Sequence, residues 1–163
     1  MNDLYYTVRV INKTAYSPTD DSRVEIIADG LEDGRAYAAA GEGFSFTTAL
    51  TEAGKGYVSL VTRSTSSGEP VVLTPSAEGD YVIGEVSDDV TITVTSCRLG
   101  DVNFDTKVNV SDLLELSRII AGYKAPTTLE RLAANTNRDL AGRVNVSDLL
   151  QLSRYIAGYI NAF

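Results

Sequence analysis

The sequence predicts a two-part, multi-domain chain: an all-β sandwich over residues 1–97, followed by an all-α module of two loop-helix repeats over residues 98–163. Three observations carry this. Apolar and polar residues alternate in short runs up to Ser96, the period of a half-buried strand. After Cys97 the apolar residues recur at three and four positions instead, as in Leu113, Leu116 and Ile120, the period of a helix. The segment Val108 to Tyr123 is then repeated at Val144 to Tyr159 with identity at 14 of 16 positions, the exceptions being Glu115/Gln151 and Ile119/Tyr155.

In the first part, runs such as Tyr6-Thr7-Val8-Arg9-Val10, Phe44-Ser45-Phe46-Thr47 and Val90-Thr91-Ile92-Thr93-Val94 place strands at 4–11, 22–28, 35–40, 43–51, 57–63, 70–74, 80–86 and 90–96. Their number and shortness favour an antiparallel sandwich. Asp29-Gly30, Asp33-Gly34 and Glu78-Gly79-Asp80 supply the backbone freedom that turns require. In the second part, Leu113, Leu116 and Ile120 and their counterparts Leu149, Leu152 and Ile156 are the expected helix cores. The linker from Tyr123 to Arg131 reads as a capped helical turn with Thr127 or Thr128 as N-cap. No Pro-rich or Ser-rich spacer interrupts residues 97–100, so the two domains are expected to be close-coupled. Tyr159 and Phe163 are expected to close near Cys97 or Leu99, because the ends of a symmetric module lie close together.

Composition narrows the function. With 163 residues and 44% apolar content the chain can bury one sizeable core or two small ones. It has no histidine, which removes the commonest general base and transition-metal ligand, and its single cysteine, Cys97, forbids an internal disulfide. Residues 1–98 carry 15 acidic and 7 basic side chains, a net of −8, while residues 99–163 carry 7 of each. Neither half offers the basic face that a nucleic acid needs. No apolar run approaches the roughly 20 residues of a membrane span, and no charged-then-apolar leader is present from which targeting could be read. The first part shows no carboxylate pair, nucleophile motif or Gly-rich phosphate loop, its Glu and Asp residues being scattered through turns, so the chain is expected not to be an enzyme.

Each repeat is preceded by oxygen-bearing side chains at alternate positions, which a tight loop converges on one point. Calcium takes six to eight oxygen ligands, drawn in such a loop from positions 1, 3, 5, the carbonyl at 7, and positions 9 and 12. In the first copy these are Asp101, Asn103, Asp105, the carbonyl of Lys107, Asn109 and Asp112. Position 6 is Thr106 where glycine is usual, and position 12 is aspartate rather than glutamate; neither departure removes a ligand. The second copy offers Asn135, Asn137, Asp139, the carbonyl of Arg143, Asn145 and Asp148, with two extra residues within Leu140-Ala141-Gly142-Arg143. It has two carboxylates where the first has three, so of the two expected calcium sites it should be the weaker.

The segment D-x-N-x-D-x-x-x-N-x-x-D-L-x-x-L with its second copy, which starts on Asn135 and is two residues longer, each opening a helix, resembles the type I dockerins of cellulosome-type assemblies over about 60 residues. The resemblance implies two EF-hand-like calcium loop-helix units packed antiparallel, and a partner: a cohesin domain of a scaffoldin or cell-surface protein. Carried over by position, the recognition residues are Val110, Ser111, Ser117 and Arg118 in the first copy and Val146, Ser147, Ser153 and Arg154 in the second. Helical spacing independently puts Val110, Leu114, Ser117, Arg118 and Ala121 on the face opposite the core, so Leu114 and Leu150 join the expected patch. Alternatively these leucines pack on the first domain or between the helices. Tyr155 is where a preference between copies would arise. The region 22–96, with Gly41-Glu42-Gly43-Phe44-Ser45-Phe46 and Gly79-Asp80-Tyr81-Val82-Ile83, is similar to small bacterial immunoglobulin-like modules that space, stabilise or bind.

These resemblances imply the C-terminal end of a larger secreted protein that serves polysaccharide degradation. Its parent would have possible polysaccharide contact. The alternative makes the first domain itself a carbohydrate-binding module, given its six tyrosines from Tyr5 to Tyr81.

Overall fold

The computed structural model describes residues 4–20 and 22–163, so residues 1–3 and 21 of the expected first domain lie outside the described residues. Among the described residues eight strands and three α-helices follow in chain order, with one short 3-10 turn at Glu52–Gly54: β1 Tyr5–Thr14, β2 Val24–Ile27, β3 Arg35–Ala39, β4 Phe44–Leu50, β5 Tyr57–Thr65, β6 Val71–Val72, β7 Tyr81–Ile83, β8 Val90–Arg98, α1 Val110–Ile120, α2 Thr128–Ala134 and α3 Val146–Ile156. Each strand overlaps a stretch of alternating sequence. β6 and β7 are shorter than the alternation suggests, because Pro75 and Gly84 follow closely and neither continues a ladder well.

Contacts divide the chain into two compact units, one of residues 1–55 and 61–95, the other of residues 56–60 and 96–163. The first is built on a five-stranded sheet in the order β3-β1-β8-β5-β6 and a three-stranded sheet in the order β2-β4-β7. Alternate residues of both sheets meet in one core: Val8 of β1, Ala36 and Ala38 of β3, Phe44 and Phe46 of β4, Tyr81 and Ile83 of β7, and Val90, Ile92 and Val94 of β8. Phe46 and Tyr81 are direct cross-strand partners whose rings stack at 5.0 Å and 9°. Asp33 and Gly34, both at positive φ, form the two-residue hairpin turn into β3, closed by reciprocal bonds between Glu32 and Arg35. Gly54 is required where it stands, since a Cβ there would lie 1.9 Å from the carbonyl oxygen of Arg23.

Two expectations about fold class need correction. The immunoglobulin-like order would place the first, second, fifth and fourth strands in one sheet and the third, sixth and seventh in the other. Here β1 lies between β3 and β8, and β2 pairs with β4. Local alternation specifies strands and their buried faces, but not which distant strands pair. The second correction concerns the C-terminal part, which is not all-α. Only 20% of the chain is helical against 31% in strands. The three helices have 11, 7 and 11 residues, and the first loop is entered directly from strand β8 rather than from a helix. Backbone that would otherwise be helical is spent turning around the loop carboxylates, with Phe104, Thr106 and Arg138 at positive φ.

The core of the second unit is small. Val102, Leu116, Ile119, Ala134 and Leu152 are buried, with Leu113, Ile120, Leu149, Ile156 and Phe163 packed partly buried against them. Leu116 and Leu152, equivalent in the two repeats, are both fully buried. Cys97 is buried, and that burial, reinforced by the charge of Asp101, pushes its thiol up to about 12, so it is an inert packing residue. Among the described residues no helix is long and apolar enough to cross a membrane.

Candidate metal loops and helix faces

The first loop gathers its carboxylates before any cation is considered. Oxygens of Asp101, Asp105 and Asp112 lie within 4.8 Å of one another, and Asp101 and Asp112 are fully buried. The loop backbone folds onto them. Asp101 accepts from the backbone N–H of Asp105 at 3.2 Å and of Thr106 at 2.9 Å. Asp112, in the first turn of α1, accepts from Val102 at 2.9 Å, Asn103 at 3.3 Å and Asn109 at 2.8 Å. Asn109 is the N-cap of α1 and accepts from Ser111 N–H at 2.8 Å, so one loop position both ends the loop and starts the helix. Burial raises the carboxyl of Asp112 above its usual range, and the nearby charge of Asp101 adds to this against the lowering effect of the backbone donors. A cation at the point where Asp101, Asp105 and Asp112 converge would offset that repulsion; the donor set is all oxygen, which suits calcium.

The second loop repeats the arrangement with less charge. Asn135 and Asn137 accept from Asp139 N–H at 3.2 and 3.1 Å, and Asp148 accepts from Asn137 at 3.2 Å and Asn145 at 2.9 Å. Asn145 caps α3 through Ser147 N–H at 2.8 Å. Arg143 N–H donates to Asp139 at 2.9 Å, the distance Lys107 N–H shows to Asp105. Between them Leu140 bulges fully into solvent and Gly142 takes φ +62°. Where the first loop buries Val102, the second buries Thr136, whose hydroxyl donates to the carbonyl of Asp148 at 2.7 Å. That substitution carries no periodic signal; only the duplication, read position by position, could have pointed to it.

Outside these loops the repeats present matching surfaces. Val110 and Val146 are each 66% exposed, Leu114 and Leu150 55% and 54%. Ser111, Arg118, Ser147 and Arg154 are exposed around them, while Ser117 and Ser153 are half-buried and donate to the carbonyls of Leu113 and Leu150. A shallow groove of about 420 Å³ runs between α1 and α3, lined by Leu113, Ser117, Val146, Leu149, Leu150 and Ser153.

The two positions that differ between repeats have distinct tasks. Ile119 is buried in the core, a residue that the Leu113, Leu116, Ile120 pattern passes over. Its counterpart Tyr155 stacks on Phe163 at 4.6 Å and accepts from Arg98 at 3.1 Å. Phe163 also lies against Gly100, where a Cβ would meet its ring at 2.9 Å. Tyr159, by contrast, is 83% exposed. Glu115 is taken up by Lys124, whose ammonium also reaches Glu130 at 3.0 Å and is held above its usual range by the two carboxylates. Glu130 in turn completes a capping box with Thr127 that starts α2.

Residues 99–157 match the family model of the dockerin type I domain. No curated protein matches the chain closely enough to count as a relative.

Proposed function

We propose that residues 98–163 form a calcium-dependent docking module that binds a cohesin domain of a scaffoldin or cell-surface protein, and that residues 1–97 form a separate, non-catalytic companion domain. The parent protein would thereby join an extracellular, cellulosome-type assembly for polysaccharide breakdown. The observation that carries the reading is the pairing, in each repeat, of an oxygen-lined loop with an exposed helix face of Val, Ser, Leu and Arg. The match over residues 99–157 supports it.

Asp101, Asn103, Asp105, Asn109, Asp112 and the carbonyl of Lys107 would hold one calcium; Asn135, Asn137, Asp139, Asn145, Asp148 and the carbonyl of Arg143 would hold a second, more weakly. Bound calcium neutralises the gathered carboxylates and ties each loop to the first turn of its helix. The helices then carry Val110, Leu114, Val146 and Leu150 at the centre of an apolar patch, rimmed by Ser111, Ser117, Arg118, Ser147, Ser153 and Arg154, a composition suited to a protein interface. Tyr155 would stiffen one side of it.

Titration calorimetry against a panel of cohesins, with calcium and then with excess chelator, tests the reading. Binding to at least one cohesin that vanishes on chelation is expected. Failure to bind any cohesin, or binding indifferent to chelator, would overturn it.

A further inference from the structure

The companion domain has a surface of its own. In β1, Val8 is buried and Tyr6 and Val10 pack on the same core, so Tyr5, Thr7 and Arg9 face outward. In β3, Ala36 and Ala38 are buried, so Arg35, Tyr37 and Ala39 face outward on the same side. The register makes Thr7 the direct partner of Tyr37 and Arg9 the direct partner of Arg35. Tyr5 and Tyr37 are then diagonal neighbours about 7–8 Å apart, and they are 58% and 67% exposed.

One feature of this strip is costly without a ligand. Arg9 and Arg35 are like charges placed directly opposite each other, which destabilises a sheet. Glu32 faces Arg35 across the hairpin turn, yet among the described residues neither arginine forms an ion pair. The strip sets two cations in a region that carries 15 acidic and 7 basic side chains, with the carboxylate of Asp89 beside it accepting from Thr7 N–H at 2.8 Å.

We propose that the outward face of β1 and β3 binds an acidic polysaccharide, a neutral sugar backbone bearing sparse uronate carboxylates. Guanidinium groups pair carboxylates with planar, bidentate geometry, and two exposed rings on one sheet face offer stacking surfaces to successive sugars. A nucleic acid fits less well, because its closely spaced phosphates would meet only two arginines on an acidic domain. This goes beyond the docking role of residues 98–163 and does not depend on it.

The test is calorimetric titration of the full chain, in calcium, with a glucuronate-substituted xylo-oligosaccharide, its undecorated counterpart, a polyglutamate peptide and a single-stranded DNA oligomer. Binding of the acidic oligosaccharide alone, weakened by salt, is expected. Arg9→Gln with Arg35→Gln should weaken it about tenfold or more without lowering the melting temperature, and Tyr37→Ala about fivefold. Equal binding of the neutral oligosaccharide, tighter binding of the peptide or DNA, no binding at all, or indifference to both sets of changes would overturn the proposal. So would unfolding of the double arginine variant, which would make those side chains structural.

Discussion

Thr106 stands at φ +77°, a left-handed conformation that a β-branched side chain adopts only under constraint. The constraint is visible: its N–H donates to Asp101 at 2.9 Å, so the loop closes on the carboxylate through the position where calcium loops usually place glycine. Left-handed backbone costs an ordinary residue about 1–2 kcal/mol, while glycine costs roughly 0.5–1 kcal/mol in chain entropy. Thr106→Gly should therefore stabilise the calcium-loaded chain by about 0.5–1 kcal/mol, read as a higher melting temperature. A lower one would show that the threonine side chain is needed for more than filling the turn. At this scale the sequence is most informative where chemistry repeats at fixed spacing. The convergence of Asp101, Asp105 and Asp112 could be read from their positions, because a tight loop has few ways to arrange alternate oxygens. The burial of Thr136 and the anchoring of Tyr155 on Phe163 could not, because each depends on a partner distant in sequence.

The two repeats differ as elements only where they meet the rest of the second unit. Ile119 fills the core and Glu115 engages Lys124, whereas Tyr155 is held by Phe163 and Arg98 and Gln151 carries no charge. Their outward faces remain alike, with matching exposure at Val110 and Val146 and at Leu114 and Leu150. A half-turn would thus offer a cohesin nearly the same surface. Changing Val110, Ser111 and Arg118 to alanine should leave affinity nearly unchanged, as should changing Val146, Ser147 and Arg154, while all six changes together should abolish binding. Calorimetry on the three variants decides it. Loss of more than about 3 kcal/mol, roughly a hundredfold, from either set alone would mean that one face is the binding site. A small preference is expected, because Arg118 pairs with Glu115 at 3.7 Å and Arg154 has no ion pair among the described residues. Helix periodicity made these faces readable in advance. The strand order of the first unit was not readable, since β2 pairs with β4 and β1 lies beside β8 without any local pattern that says so.

Over the whole molecule, the two compact units rest on different kinds of stabilisation. The first buries an apolar core from both sheets, including Val8, Phe46, Ile83, Ile92 and Val94. The second has a smaller core and fully buries Asp101, Asp112 and Asp148, so its folding energy includes whatever offsets those charges. Strands β5 and β8 run through both: Gly56–Leu60 and Ser96–Arg98 cluster with the second unit, and Leu99 N–H donates to the carbonyl of Gly56 at 2.8 Å. Chelating calcium should therefore unfold residues 99–163 and also remove protection from residues 56–60 and 96–98, while residues 61–95 remain protected. Hydrogen exchange in excess chelator resolves these segments directly. Persistent protection of the helices beginning at Val110 and Val146 would mean that the apolar core suffices without the ion. Loss of protection in β1, β3 and β4 as well would mean that the sandwich borrows its stability from the module, and that the two units unfold as one.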